Sequence, residues 1–338
     1  MLRAVVVGAG AMGLNHARIY NELESVELVA VVDVDGEAAD RVGRKYHTRA
    51  FRDLSSALEE TSPHIVSVAV PTRLHEEVAV RAIEHGCHVL VEKPLALSVP
   101  AGRRIIEAAE RAAVTLGVGH VERFNPAVVE IKRRLENNEL GRIFKVHARR
   151  FSPFPTRIGD VGVILDLATH DIDVIRHLLG SHVERGFAET QRRAHASCED
   201  LVTALLRFEN GVIGVLDVNW LTPTKVRELA ILGERGMYVV DYLTQDLFWY
   251  QNAHEGGGWE VLTTFRGAWE GDMVKVRLNK KEPLRIELED FVSSVVEGRR
   301  PQVSGSDGLA AIELGALIVE SGQTKLPFHC VQGASLER

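Results

Sequence analysis

The chain has 338 residues, 45% hydrophobic and 26% charged, with a formal net charge of -7. That content is enough to bury a sizeable core, and the length predicts two domains. The negative balance excludes a long-range pull toward nucleic acid or an anionic membrane surface, so any anionic ligand has to be held by local positive groups.

From the start to residue 121, short apolar runs (AVVVG, LVAVVD, HIVSVAV, HVLVEK and TLGVG) alternate with amphipathic stretches such as 76–84 and 101–111. Uniformly apolar strands spaced by helices predict a parallel sheet covered on both faces, a doubly wound Rossmann domain of the α/β class over 1–121. Gly8-Ala9-Gly10-Ala11-Met12-Gly13 follows the first strand directly and opens a helix. Glycines at this spacing permit a tight turn, close approach of backbone to a pyrophosphate, and close packing of the helix, whose N-terminus supplies unpaired N–H groups. Asp33 ends the second strand twenty positions after Gly13 and is placed to accept hydrogen bonds from ribose hydroxyls. An acid there repels a 2′-phosphate, and no arginine follows at once, so NAD is expected as cofactor rather than NADP. Asp35 is the competing candidate for a plain turn or N-cap role at this strand end. Lys93 emerges at the carboxyl end of a buried strand, where open α/β sheets bind ligands, and an ammonium there can stabilise a developing alkoxide.

Beyond residue 123 the runs follow one another through turns: RIFKVHARRF, LVTALLRF, GVIGVLDVNW, ELAILG, GMYVVDY and DLFWY. Asn210-Gly211 predicts a two-residue hairpin between two of them. A large, open, mostly antiparallel sheet is expected in an α+β domain over 122–338, with helices at 127–137, 164–179, 284–297 and 308–320. On the 164–179 helix, a rotation of about 100° per residue gathers Asp166, His170, Asp173 and His177 into one arc opposite Ala168, Ile172, Ile175 and Leu179. A solvated face usually carries Lys, Glu and Arg, so a stripe of Asp and His suggests chemistry, although such pairs also support each other at i,i+4.

The segment VPTRLHEEVAVRAIEHGCHVLVEKPL (70–95), with the glycine motif before it and the Asp-x-x-x-His helix after it, resembles the Gfo/Idh/MocA (glucose-fructose oxidoreductase, inositol dehydrogenase, MocA) family over essentially the whole chain. The resemblance implies an NAD-dependent dehydrogenase acting on a secondary hydroxyl. By matched position it implies that Pro71, Thr72 and His75 line the cofactor site, that Glu92 and Lys93 flank the nicotinamide, and that a cis bond precedes Pro94. It further selects Asp166 and His170, with His170 as general base alone or jointly with Lys93, and Asp166 orienting the hydroxyl or the lysine.

Two more segments, GHVERFNP (119–126) and RRFSPFPTRIGDVGVILDLATHDID (149–173), resemble the members that oxidise the 3-hydroxyl of UDP-N-acetylglucosamine. A sugar nucleotide is therefore the expected substrate, with Arg123, Asn125 and Arg157 as candidate ligands for sugar or diphosphate. The alternatives are a free polyol such as an inositol, a UDP-sugar uronate, or a non-catalytic NAD-binding regulator. The last is disfavoured by the presence of Lys93, Asp166 and His170. The family resemblance also implies a homodimer or homotetramer formed through the second-domain sheet, for which Leu216 and Trp220 are candidate contact residues.

Cys87, Cys198 and Cys330 are too scattered for a disulfide framework or zinc site, so no metal is expected. With no charged leader and no membrane-spanning apolar run, a soluble cytoplasmic protein without nucleic-acid or membrane partners is expected.

Overall fold

The computed structural model describes residues 1–155, 161–252 and 270–330. They form two compact units. The first contains Met1–Phe124 and Glu282–Ala316, the second Asn125–Lys281 and the chain from Leu317 onward.

In the first unit, β1 (Leu2–Val7), β2 (Val26–Val32), β3 (Arg49–Phe51), β4 (Ile65–Val68), β5 (His88–Glu92) and β6 (Leu116–Gly119) form one sheet in the order β3-β2-β1-β4-β5-β6. Every pairing is parallel. The helices between them are α1 (Ala11–Glu22), α2 (Gly36–Tyr46), α3 (Leu54–Thr61), α4 (His75–Glu84) and α5 (Val99–Ala112). The strand order reverses beside β1, which is the switch point where doubly wound sheets open a crevice at their carboxyl ends. β3 lies outside the expected runs, because it is a short edge strand whose three residues carry no periodic signal.

The boundary differs from a single cut at residue 121. Leu288, Phe291 and Val292 of α8 (Pro283–Glu297) are buried in the same cluster as Ala4, Val6, Ile19, Tyr20 and Leu90. Burying that apolar face ties 282–316 to the first unit. The helix α9 (Gly305–Thr324) is divided between the two units after Ala316.

In the second unit, among the described residues, nine strands form a mixed sheet. They are β7 (Ile143–Phe151), β8 (Val183–Gln191), β9 (Leu201–Phe208), β10 (Ile213–Asn219), β11 (Val226–Gly233), β12 (Gly236–Asp241), β13 (Asp246–Asn252), β14 (Glu270–Val276) and β15 (Phe328–His329). The order is β14-β13-β12-β11-β7-β10-β9-β8-β15, antiparallel throughout except that β7 and β10 run parallel. The unit also holds α6 (Pro126–Glu136) and α7 (Thr169–Leu179). The turn joining β9 to β10 is wider than the two residues expected: Gly211 N–H bonds the Phe208 carbonyl at 2.9 Å and Phe208 N–H the Val212 carbonyl at 3.0 Å. Glu209, Asn210 and Gly211 thus make the loop, and the φ of 87° at Gly211 is the left-handed position that such loops reserve for glycine.

The sheet alternates as a one-sided sheet must. On β9, Val202, Ala204, Leu206 and Phe208 are buried, whereas Leu205 is 55% exposed. The expectation that Leu216 and Trp220 face outward is corrected: both are 1% exposed, and Trp220 packs against Phe154 and His195. The parity of β10 sends Leu216 inward and Val215 outward beside Leu205. Among the described residues, no helix is long and apolar enough to cross a membrane.

Candidate functional site

The candidate cofactor site belongs to the first unit. At the turn after β1, the three glycines meet different constraints. A Cβ on Gly8, whose φ is +104°, would fall 2.3 Å from the Ala69 carbonyl oxygen; one on Gly13 would fall 1.7 Å from the Gly8 carbonyl oxygen. A Cβ on Gly10 would meet nothing within 4 Å, so that position opens onto free space. Gly10, Ala11 and Met12 are exposed at the N-terminus of α1, whose first turn carries no acidic residue. Free space at Gly10 beside unopposed helix N–H groups fits a dinucleotide pyrophosphate.

Asp33 and Asp35 separate into distinct roles. Asp35 caps α2, accepting the N–H groups of Glu37 (3.0 Å) and Ala38 (3.2 Å). Asp33 instead reaches back to the glycine turn: Oδ2 accepts Ala9 N–H at 2.6 Å and Oδ1 accepts Asp35 N–H at 2.9 Å. The carboxylate is held at the β2 end, where an adenosine ribose would meet it.

The proline loop after β4 places Pro71 at the surface and Thr72 half-buried at the start of a short 3₁₀ turn. His75 is buried, and its ring nitrogens lie 2.9 Å from the carbonyl oxygens of Val70 and Pro94. Burial keeps this imidazole below the ordinary histidine pKa in spite of those two acceptors. His75 therefore joins two loops, those of Val70 and of Pro94. At the end of β5 the Lys93–Pro94 bond is cis. Glu92 and Pro94 are buried, and Lys93 is half-buried.

His16, on α1, is the residue the sequence did not reveal. Its Nε2 lies 2.9 Å from Glu92 Oε1, and Glu92 Oε2 accepts Lys93 N–H at 3.2 Å. Burial by itself would raise the Glu92 pKa, but the His16 hydrogen bond and the electrostatic influence of His16 and Lys93 outweigh it and leave the carboxyl below the usual range.

The second unit carries Asp166 and His170. The expected continuous 164–179 helix begins as a π turn, Ile164–Ala168, closed by Thr169 N–H to the Ile164 carbonyl, and becomes α-helical at Thr169. Asp166 sits inside that turn, a local widening that recurs at functional sites. Glu199 holds the start of the turn: its carbonyl accepts Val163 N–H at 2.9 Å and its carboxylate accepts Ile164 N–H at 3.2 Å. Burial raises the Glu199 pKa. Asp166, His170 and His177 are half-buried, whereas Asp173 is 2% exposed, so the expected polar stripe is not a solvent face. Asp171, absent from that stripe, is fully buried against Arg150.

Two candidate substrate ligands turn out to be engaged in packing. Arg123, 5% exposed, has Nη1 donating to the Gln302 carbonyl at 3.1 Å and Nη2 3.0 Å from Asp307 Oδ1. Asp307 Oδ2 accepts Ser304 N–H at 3.0 Å, and Asp307 N–H reaches Ser304 Oγ at 3.4 Å. This is a capping box that starts α9, legible in the sequence as Ser304-x-x-Asp307. Asn125, 2% exposed, caps α6 through Ala127 N–H (3.2 Å) and donates to the Tyr242 carbonyl at 3.2 Å. Within GHVERFNP, Arg123 and Asn125 are thus buried where main-chain groups need partners. Arg157 lies outside the described residues.

Comparisons with known proteins identify the family. Residues 2–120 match the oxidoreductase family with an NAD-binding Rossmann fold, and residues 128–239 match the Gfo/Idh/MocA C-terminal domain. The chain is 30% identical over 302 residues to the UDP-N-acetylglucosamine 3-dehydrogenase of Acidithiobacillus ferrooxidans, covering 88% of this chain and 90% of the relative. It is 26% identical over 335 residues to the myo-inositol 2-dehydrogenase of Thermotoga maritima, covering 96% and 97%. The solved structure of the Acidithiobacillus ferrooxidans enzyme superposes with a TM-score of 0.84 at 26% identity, covering 96% of this chain and 98% of the other. NAD is the cofactor of the first unit, and the chain belongs to the Gfo/Idh/MocA family of NAD-dependent sugar and polyol dehydrogenases.

Proposed function

We propose that the protein oxidises the 3-hydroxyl of UDP-N-acetylglucosamine to the 3-keto sugar. The observation that carries this reading is the likeness to the Acidithiobacillus ferrooxidans enzyme along nearly the full length of both chains, in sequence and in fold. Bound NAD supplies the acceptor for the hydride that leaves the carbinol carbon. Lys93 donates a hydrogen bond from its ammonium to the hydroxyl oxygen and stabilises negative charge as it develops there. His170 takes the hydroxyl proton as general base, and Asp166 orients the hydroxyl. Arg157 is retained as the ligand of the diphosphate, where a guanidinium makes two-point contacts.

The second reading is a polyol dehydrogenase, favoured by the equally complete likeness to the Thermotoga maritima inositol enzyme. A panel of UDP-sugars, UDP-sugar uronates, inositols and free sugars, followed by NADH absorbance, separates the two. Turnover of UDP-N-acetylglucosamine with a 3-keto product is the expected result; turnover of myo-inositol with none of any UDP-sugar overturns it.

We further propose that the enzyme works in the cytoplasm as a dimer or tetramer whose subunits meet through the outward face of the second-unit sheet. One cross-strand row on that face, Phe187, Leu205, Val215, His147, Ala230, Val239 and Phe248, is apolar but for one histidine, and continues at the edge strand β14 into Lys275. An apolar row of this kind suits the same row on a second copy.

A further inference from the structure

The end of β5 is held in an unusual way. Of Glu92, Lys93, Pro94 and Leu95, only Lys93 is not buried. The main chain around it is pinned from two helices. From α1, His16 Nε2 engages Glu92 Oε1 at 2.9 Å, and the second carboxylate oxygen takes Lys93 N–H at 3.2 Å. From α4, His75 Nδ1 lies 2.9 Å from the Pro94 carbonyl oxygen, which accepts its hydrogen bond.

Glu92 has little freedom to adopt another pose. A Cβ on Gly119 of β6 would lie 3.1 Å from both Cδ and Oε2 of Glu92, so that glycine leaves room for the carboxylate and little more. His16 is 0% exposed and Glu92 8%. A carboxylate this buried is tolerated only when its oxygens find donors or positive charge. His16 fills that need from the helix that the glycine turn opens, three residues after Gly13.

We propose that His16 is a positioning residue: acting through Glu92, it fixes the main chain from which Lys93 reaches the reacting hydroxyl, and it ties that lysine to the helix that receives the cofactor. The inference rests on Lys93 being the amine at the reacting carbon, as proposed above. Without the His16 donor, Glu92 Oε1 is left buried with a lost partner; the carboxylate then protonates or turns away and releases Lys93 N–H. A misplacement of about 1 Å at such a group costs on the order of a hundredfold in rate.

The test is a kinetic cycle on the full-length enzyme with His16→Leu, His16→Gln, Lys93→Met and the double variant His16→Leu/Lys93→Met. A glutamine amide is able to supply the same donor without the ring. His16→Leu is expected to lower kcat by about a hundredfold, leaving sugar KM and NADH affinity by fluorescence titration within about twofold. His16→Gln is expected to restore kcat to within about tenfold of the parent, and the double variant to be no slower than Lys93→Met alone. If His16→Leu shows no cooperative melt, His16→Gln takes its place, and its effect must vanish in the Lys93→Met background. Parent-like kcat in His16→Leu while Lys93→Met is inactive overturns the inference alone, as does a double variant slowed by the product of the two single effects. Parent-like kcat in Lys93→Met overturns the assignment of Lys93 and the inference with it.

Discussion

Arg150 and Asp171 form a two-point ion pair inside the second unit, with Nε 2.7 Å from Oδ2 and Nη2 3.1 Å from Oδ1. The side chains are 4% and 1% exposed, and the guanidinium also lies 5.1 Å from the centre of the Tyr242 ring. Removing Arg150 takes its partner from the buried Asp171 carboxylate. Arg150→Met is expected to cost about 3–5 kcal/mol of stability in urea titrations. A loss under about 1 kcal/mol would mean that the charge is relieved by water or protonation.

Lys93→Ala and His170→Ala should each lower kcat by about 10²- to 10⁴-fold with NADH affinity retained. Single-turnover kinetics with saturating NAD checks this. Near-normal turnover in either variant removes that residue from the mechanism.

The glycine turn separates cofactor binding from folding. Gly10→Val projects into open space, so NADH affinity should fall at least about tenfold while the melting temperature is kept. Gly13→Ala drives a methyl against the Gly8 carbonyl and should cost about 1–3 kcal/mol of stability or more. Equal loss of both properties in Gly10→Val would contradict the assignment of that space to the cofactor.

Acid sensitivity should trace in part to Asp307. Burial alone would raise its pKa, but Arg123 and the Ser304 hydroxyl and N–H hold it at about 2. A carboxyl depressed below its unfolded value stabilises the fold above that value, and the stability is lost as pH falls through the folded one. The contribution is about 2 kcal/mol at neutral pH and fades between about pH 4 and pH 2. Asp307→Asn, which mimics the protonated acid, should be less stable than the parent at pH 7, and the gap should close toward pH 2. A gap that stays constant with pH would assign the stability to packing instead.

Leu205→Glu tests the outward sheet face. A carboxylate in the middle of the apolar row should dissociate the assembly, read as a drop in mass by light scattering, with monomer fold intact by circular dichroism. An unchanged mass would locate any subunit contact elsewhere.

The sequence was a good guide wherever structure depends on neighbours along the chain. The alternation of apolar strands with amphipathic helices identified the parallel sheet, and the runs from β7 to β13 identified most of the second. β8 escaped notice because Val183–Gln191 mixes charged residues into its exposed positions. Spacing chose Asp33 for the ribose but left a turn or N-cap role open to either aspartate; the N–H groups of Glu37 and Ala38 give the cap to Asp35. The helical wheel of 164–179 assumed one period throughout, and the π turn at Ile164–Ala168 breaks that assumption just where Asp166 lies.

By itself the sequence determined the two fold classes, the glycine turn, the Lys93 strand end and the capping signals, because each arises from steric and hydrogen-bonding preferences within a few residues. Tertiary structure decided what the isolated charges do. His16 meets Glu92 across 76 positions of sequence, and Arg123, a substrate candidate by its chemistry, pairs with Asp307 across 184 positions. A buried polar group must find its partner wherever the closed chain offers one, and no local pattern records which distant residue that will be.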